Sequence, residues 1–194
     1  MKLVDKDIRE AILRKEIAIV PFDDKALGSN SYDVHLGTEL LVYKRTFDRW
    51  HNPEPLDCRK RAETISITIP PEGLVLMPGE LYLGSTVEYT ESLATVPTIN
   101  GKSSLGRFGL SVHVTAGTGD VGFKGHWTLE LTVVIPLRIY AGMAVAQLLW
   151  DSITGQPDRL YHEKPDAKYT NAHIPGPQAS EMARNFSDGY SDDK

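Results

Sequence analysis

A series of short apolar runs, each ended by glycine, proline, asparagine or aspartate, constrains the fold of this chain more than any other feature. Residues 65–69 alternate strictly between isoleucine and a hydroxyl residue, which is the pattern of a half-buried strand. Further runs of strand length occupy 74–77, 81–87, 110–114, 127–133 and 145–150. Many short strands with turn residues between them predict an all-β fold with minor α, a distorted barrel or a jelly-roll-like sandwich.

The two ends of the chain differ from this strand-rich middle. Asp5 can cap an N-terminal helix in which Ile8, Ile12 and Leu13 recur at helical spacing, as in a helix that packs on a core. From about residue 155 the sequence is polar and rich in Pro, Gly, Asp and Lys, so this segment holds little core. It is either a disordered tail or a segment that orders over a ligand, and we expect 187–194 to be solvated tail. The length suits one domain, 1–194, with 155–194 as flexible lid and tail.

Charge and cysteine content exclude several classes of function. The net charge of -5 argues against general nucleic-acid binding, which needs a basic face. The single cysteine, Cys58, cannot form an intrachain disulfide and cannot complete the Pro-Cys-x-x-Cys half of a zinc deaminase site. The six histidines show no HExxH spacing. We therefore expect no zinc. No apolar run approaches the length of a membrane span, and the N-terminus is too charged for a signal peptide, so we also expect a cytoplasmic protein without membrane contact.

A polar stretch with fixed positive charge, GKSSLGR, occupies 101–107 between two apolar runs. Lys102 and Arg107 supply the charge, and two hydroxyls and the amides of a glycine-flanked turn supply donors. This combination suits a phosphate chain, because charge-assisted hydrogen bonds to anions are strong. Composition alone leaves a basic surface loop as the alternative.

A second stretch combines a glycine-rich loop with an acidic residue inside a strand. Residues 115–125 contain four glycines, which let a backbone approach a ligand closely. In the following run, the alternation puts Trp127, Leu129, Leu131 and Val133 on one face and Glu130 on the other. Glu130 is either a solvent-facing strand residue or a catalytic carboxylate, since an acid among apolar residues is costly to bury without a partner.

Taken together, these stretches resemble the dCTP deaminase/dUTPase superfamily. The matching motifs are GKSSLGR at 101–107, TAG at 115–117 and D-x-GF-x-G-x-x-TLEL at 120–131. The match extends back to SYDV at 31–34 and to 78–86, and forward to Gly142, Met143, Gln147, Lys168 and Tyr169. The resemblance implies a dUTPase-type barrel or jelly roll, a homotrimer with active sites between subunits, and a C-terminal lid. It implies deamination of dCTP without zinc.

The resemblance also assigns roles to individual residues. Glu130 would be the general base and acid, Ser103 would help to hold the attacking water, and Arg107 would supply positive charge beside the base. The backbone at Thr115 and Ala116 would contact the pyrimidine edge. Residues assigned to the rest of the substrate are Asp120, which would bind the deoxyribose hydroxyl, Thr128 and Leu129, and, for the Mg²⁺-carrying triphosphate, Lys102, Ser104, Gln147, Tyr161 and Lys168.

Three departures from the family pattern bear on the reaction. The usual Ile-Asp-Pro-Gly is Gly-Asp-Val-Gly at 119–122, the glutamate usual before GKSS is Asn100, and the lid glutamine falls near Ala172 and His173, with Gln178 further on. Monofunctional deaminases tend to carry histidine after Thr-Ala, whereas this chain has Gly117, and Gln147 also resembles the bifunctional group. These features favour a bifunctional enzyme that forms dUMP and diphosphate. A monofunctional deaminase that forms dUTP, a dUTPase and a weakly active nucleotide-binding or regulatory protein are the alternatives.

Overall fold

The computed structural model describes residues 1–169 and 173–186. Within these ranges the chain is predominantly β, with two short α-helices, α1 (Asp5–Leu13) and α2 (Ser103–Gly106), and three 3₁₀ turns at Asp24–Ala26, Tyr161–Glu163 and Met182–Phe186. The strands, in chain order, are β1 (Ile17–Val20), β2 (Tyr32–His35), β3 (Glu39–Tyr43), β4 (Thr64–Thr68), β5 (Leu74–Leu76), β6 (Tyr82–Ser92), β7 (Thr95–Gly101), β8 (Leu110–Ser111), β9 (Phe123–Val133), β10 (Leu137–Ile139) and β11 (Ala144–Ser152).

The strands form three antiparallel sheets. The largest has the order β4-β3-β6-β9-β8, and β1 also pairs with β6. The second contains β2, β11 and β7, in that order, and the third pairs β10 with β5. In the described part of the chain these sheets do not close into a barrel. The all-β prediction with minor α is therefore confirmed as open, packed sheets.

The core lies between the sheets and is lined by alternate residues of the long strands. In β9, Trp127, Leu129, Leu131 and Val133 are all buried, which confirms the expected inward face. The indole N–H of Trp127 donates to Thr90 Oγ1 at 3.0 Å, and that of Trp150 donates to Ser92 Oγ at 2.9 Å. These bonds satisfy the two buried donors, which would otherwise destabilise the core.

The N-terminal helix exists, but its cap differs from the prediction. Asp5 is the first residue of α1, Val4 holds the cap position, and its amide donates to Asp7 Oδ2 at 3.1 Å. Ile8 and Ala11 face the core, whereas Leu13 is 82% exposed. The prediction that Leu13 belongs to the packed face was wrong, because Leu13 follows Ile12 by 100° around the axis and turns towards solvent at the helix end.

Several strand boundaries also differ from the sequence pattern. The run at 65–69 forms β4 at Thr64–Thr68, but Ile65 is half exposed because this strand lies at a sheet edge. The run at 110–114 forms only the two residues of β8. The rest of this run is a loop beside β9, and the Glu130 amide donates to the Val112 carbonyl at 2.9 Å.

The polar C-terminal segment packs on its own chain over the residues described. Ala167 is buried, and two 3₁₀ turns interrupt the segment. Over 155–169 and 173–186, this agrees with an ordered segment better than with a disordered tail. The predicted solvated tail at 187–194, and Ala172 of the expected lid-glutamine position, lie outside the described residues.

Core burial yields a test with a matched control. Leu40 in β3 is fully buried, whereas Leu13 is almost fully exposed. Leu40→Ala should lower the free energy of unfolding by about 2–5 kcal/mol, because it removes buried methyl groups and leaves a cavity. Leu13→Ala should change it by less than about 0.5 kcal/mol. Urea denaturation at one fixed protein concentration measures both, and equal losses would contradict this placement of the core.

Candidate active site

Glu130 lies on the face of β9 opposite the core and is held by a hydrogen bond from a neighbouring loop. The side chain is half buried, and Oε2 accepts from the Val114 amide at 2.7 Å. Glu130 Oε1 has no hydrogen-bond partner within residues 1–169 and 173–186. One carboxylate oxygen is therefore fixed by the protein, and the other can accept a proton from a bound molecule.

The loop beyond Val114 places Thr115 and Ala116, both exposed, next to this carboxylate. Its backbone is anchored to β7, since the Ile99 amide donates to the Gly117 carbonyl at 2.7 Å and the Gly119 amide donates to the Pro97 carbonyl at 2.9 Å. The loop is thus held by Glu130 at Val114 and by β7 at Gly117 and Gly119. The exposed backbone of Thr115 and Ala116, between Val114 and Gly117, can face a planar ligand.

Two of the loop glycines have no room for a side chain. A Cβ at Gly117 would lie 2.8 Å from the Ile99 carbonyl oxygen, and one at Gly119 would lie 2.7 Å from the ring of Trp127. The departure from the family pattern at Gly119 therefore has a structural reason. The indole of Trp127 occupies the space that a larger residue at position 119 would need.

Asp120 lies at the exposed turn that follows, where the C-terminal segment docks. Lys164 Nζ lies 3.3 Å from Asp120 Oδ2, and the Tyr161 amide donates to the Val121 carbonyl at 2.9 Å. The ring of Tyr161 packs against Phe123 at a centroid distance of 6.2 Å. The structure therefore brings Asp120 and Tyr161 together. The Tyr161 hydroxyl accepts from the Tyr169 amide at 3.1 Å, one residue after Lys168.

The GKSSLGR stretch forms the end of β7 and the single helical turn α2. Lys102 occupies the cap position with extended backbone, and Ser103, Ser104 and Arg107 are exposed. Arg107 Nη1 donates to the backbone carbonyl of Ser103 at 3.1 Å. The hydroxyls and the guanidinium therefore face outward from the chain.

Lys102 and Gln147 meet at a third residue, Asp33. Lys102 Nζ forms an ion pair with Asp33 Oδ2, and Gln147 Nε2 donates to Asp33 Oδ1 at 2.9 Å. Asp33 belongs to the SYDV motif but was not predicted as a site residue. A signal was present, because Asp33 is the polar residue between two apolar neighbours of a short strand, Tyr32 and Val34.

The predicted residues therefore form separate groups in one chain. Thr128 is on the same face of β9 as Glu130, whereas the Leu129 side chain is fully buried, so only its backbone can face a substrate. In the described part of the chain, no hydrogen bond or ion pair joins Glu130 to Ser103 or Arg107. One chain alone does not assemble the predicted catalytic set.

The C-terminal segment crosses the face of β9 beside Glu130. The Gln178 amide donates to Thr128 Oγ1 at 3.0 Å, and the Ser180 amide donates to the Tyr43 hydroxyl at 3.0 Å. Arg61 Nη2 forms a salt bridge with Glu181 Oε2 at 3.0 Å. Tyr169 is part of this segment, and desolvation by its partial burial raises the pKa of its hydroxyl.

Residues 1–169 and 173–186 contain no group of three or more His, Cys, Asp or Glu arranged to hold a metal ion. None of the helices there has the length and apolar character needed to cross a membrane.

The structure is a set of antiparallel sheets in which a strand carboxylate, Glu130, lies beside a glycine-rich loop. A family model described as dCTP deaminase-like matches residues 2–153, and this chain belongs to that family.

Two relatives agree with the family model. A protein of Clostridium acetobutylicum named "dCTP deaminase, dUMP-forming" is 45% identical over 171 residues, covering 88% of this chain and 91% of the relative. A protein of Leptospira biflexa with the same name is 46% identical over 156 residues, covering 80% of this chain and 84% of the relative.

A solved structure supports the fold. The crystal structure of 2'-deoxycytidine 5'-triphosphate deaminase from Agrobacterium tumefaciens superposes with a TM-score of 0.59 over 78% of this chain, at 20% identity. This chain spans 48% of that chain's length. At this identity the comparison supports the shared fold only.

The packing around Gly117 predicts a position-specific effect of a single methyl group. Gly117→Ala should displace the loop from Ile99 and lower the free energy of unfolding by about 1–3 kcal/mol, as overpacking does. Hydrogen exchange of the Ile99 amide, followed by NMR, should become faster. Gly155→Ala is the control, because nothing lies within 4 Å of a Cβ there. Unchanged exchange at Ile99 in Gly117→Ala would contradict the anchoring of the loop.

Proposed function

We propose that this protein hydrolyses dCTP to dUMP, diphosphate and ammonia. The observation that carries the proposal is the pair of relatives at 45% and 46% identity that are named dUMP-forming dCTP deaminases. The fixed carboxylate of Glu130 beside the exposed Thr115–Ala116 backbone supports it from the structure. Loss of ammonia replaces the C4 amino group by oxygen, and a second water cleaves the bond between the α- and β-phosphates.

Glu130 is the proton carrier in this proposal. Its free oxygen takes a proton from a water, the resulting hydroxide attacks C4 of cytosine, and the carboxyl returns the proton to the ring and then to the departing ammonia. A positioned carboxylate of this kind contributes about 10²–10⁴-fold to the rate. The Val114 amide fixes the carboxylate, so little reorganisation is needed at the moment of reaction.

The loop after Val114 recognises the nucleoside in this proposal. The backbone of Thr115 and Ala116 contacts the pyrimidine edge, and Asp120 accepts a hydrogen bond from the deoxyribose hydroxyl. Thr128 and the Leu129 backbone line the same face as Glu130. Tight packing of Gly117 and Gly119 supports this role, because it holds the loop backbone in one position.

The triphosphate contacts come from residues with exposed or half-buried donors. We assign Lys102, Ser104, Gln147, Tyr161 and Lys168 to this role, and Mg²⁺ enters as part of the nucleotide, bound through the phosphate oxygens. Magnesium prefers such sites, where phosphates and water supply most of its ligands. With a net charge of -5, these few donors serve one small anion better than a nucleic-acid backbone.

A homotrimer completes the site in this proposal. Ser103 and Arg107 face outward from the chain and, within the residues described, make no hydrogen bond to Glu130. A neighbouring copy can therefore supply its own Ser103 and Arg107 to this site. Several large apolar side chains are also exposed, which suits burial against another subunit: Phe108, Val114, Val134 and Ile135. We propose a cytoplasmic location for the assembled enzyme, where its nucleotide substrate is present.

Removing the charge of Glu130 should stop the reaction and leave the fold intact. Glu130→Gln keeps the shape of the side chain but cannot accept the proton, so ammonia release from dCTP should fall by at least about 10²-fold. Glu39→Gln, which changes an exposed glutamate at the start of β3, should have near wild-type activity. A coupled ammonia assay with thermal unfolding as a folding check measures both. Wild-type activity in Glu130→Gln would exclude its catalytic role.

Product analysis distinguishes the proposal from its alternatives. Purified protein with dCTP and Mg²⁺ should yield dUMP, diphosphate and ammonia in equal amounts. Chromatography measures the nucleotide products. Ammonia together with accumulating dUTP would indicate a monofunctional deaminase. Cleavage of dUTP with dCTP untouched would indicate a dUTPase, and tight dCTP binding without turnover would indicate a regulatory protein.

A further inference from the structure

Asp33 connects two residues that the proposed function assigns to the triphosphate. Its two carboxylate oxygens are used separately, one by the ammonium of Lys102 and the other by the side-chain amide of Gln147 at 2.9 Å. The side chains of Lys102 and Asp33 are 24% and 27% exposed. The pair is therefore mostly shielded from solvent. Charge-assisted hydrogen bonds in such a position are stronger than at an open surface.

The register of three adjacent strands produces this arrangement. Asp33 in β2 is opposite Gln147 in β11, and Gln147 is opposite Asn100 in β7. Lys102 follows Asn100 by two residues in extended backbone, so it is on the same face of the sheet. The contact between Asp33, Gln147 and Lys102 is thus built into the sheet and does not depend on a mobile loop.

We propose that Asp33 is a positioning residue that orients Lys102 and Gln147 for the triphosphate. This inference rests on the proposed function. A carboxylate only accepts hydrogen bonds, so it holds the NH₂ group of Gln147 in a single orientation and leaves its second N–H for a ligand. It also restrains the flexible stem of Lys102 while occupying one of three ammonium donors, which leaves two for phosphate oxygens.

The alternative role predicts the opposite sign. A carboxylate beside a triphosphate site repels the ligand, so a residue that merely competed for Lys102 would weaken binding, and its neutralisation would lower KM. If Asp33 positions the two donors, neutralisation should raise KM, because Lys102 and Gln147 lose their fixed orientation. The direction of the change in KM therefore separates positioning from competition.

The test is steady-state kinetics of dCTP turnover with Mg²⁺ in Asp33→Asn. We expect KM to rise on the order of tenfold, as for loss of a charge-assisted hydrogen bond, with kcat within about twofold of wild type. The control is Asp151→Asn in β11, which removes an ion pair to Lys2 at 2.5 Å elsewhere on the same sheet and should leave KM unchanged. An unchanged or lower KM in Asp33→Asn would overturn the inference.

A thermodynamic cycle tests whether Asp33 acts through Lys102. In a Lys102→Met background, Asp33→Asn should raise KM by a smaller factor than in wild type, because one of its two partners is already gone. Equal factors in both backgrounds would overturn the inference. Asp33→Ser replaces Asp33→Asn if the latter does not fold, and the same rise in KM is expected.

Binding of magnesium tripolyphosphate separates this inference from the proposed function. Calorimetry should show weaker binding to Asp33→Asn than to the wild-type protein. If the wild-type protein binds tripolyphosphate and Asp33→Asn binds it equally well, only the role of Asp33 is excluded. If the wild-type protein binds neither tripolyphosphate nor dCTP, the proposed function and this inference are both excluded.

Discussion

The hydrogen bond from the Val114 amide to the Glu130 carboxylate is the interaction on which the candidate site depends. It joins strand β9 to the loop that continues into Thr115 and Ala116. On its other face, β9 buries Leu129 and Leu131 completely in the core. The position of the carboxylate is therefore set by core packing. The hydrogen bond from Val114 in turn fixes the loop proposed to contact the base relative to this carboxylate.

Close packing explains how the loop is held without regular secondary structure. Gly117 and Gly119 allow the backbone to approach Ile99 and Trp127, and two backbone hydrogen bonds link the loop to β7. Trp127 is itself fixed by its bond to Thr90. A departure from the family pattern at position 119 is thus compensated by a large residue eight positions later, which no local motif reveals.

Much of the fold and the candidate site could be predicted from local pattern. The alternation along 127–133 correctly predicted the inward residues, because successive side chains of a strand point to opposite faces. Contacts across strands could not be predicted in the same way. Asp33 and Gln147 are 114 residues apart, and only the pairing of β2 with β11 makes them neighbours. The exposure of Leu13 and Ile65 was missed because propensity does not show which face or edge a neighbour covers.

The sequence by itself determined the family, the all-β class and the identity of the candidate residues, since these depend on residue types and spacings that a single chain displays. The tertiary structure alone decided which residues meet. It joined Asp33 to Lys102 and Gln147, laid the C-terminal segment over Thr128, and left Ser103 and Arg107 facing outward. The physical reason is that strand register and packing between distant segments are properties of the folded chain, whereas periodicity is a local property of the sequence.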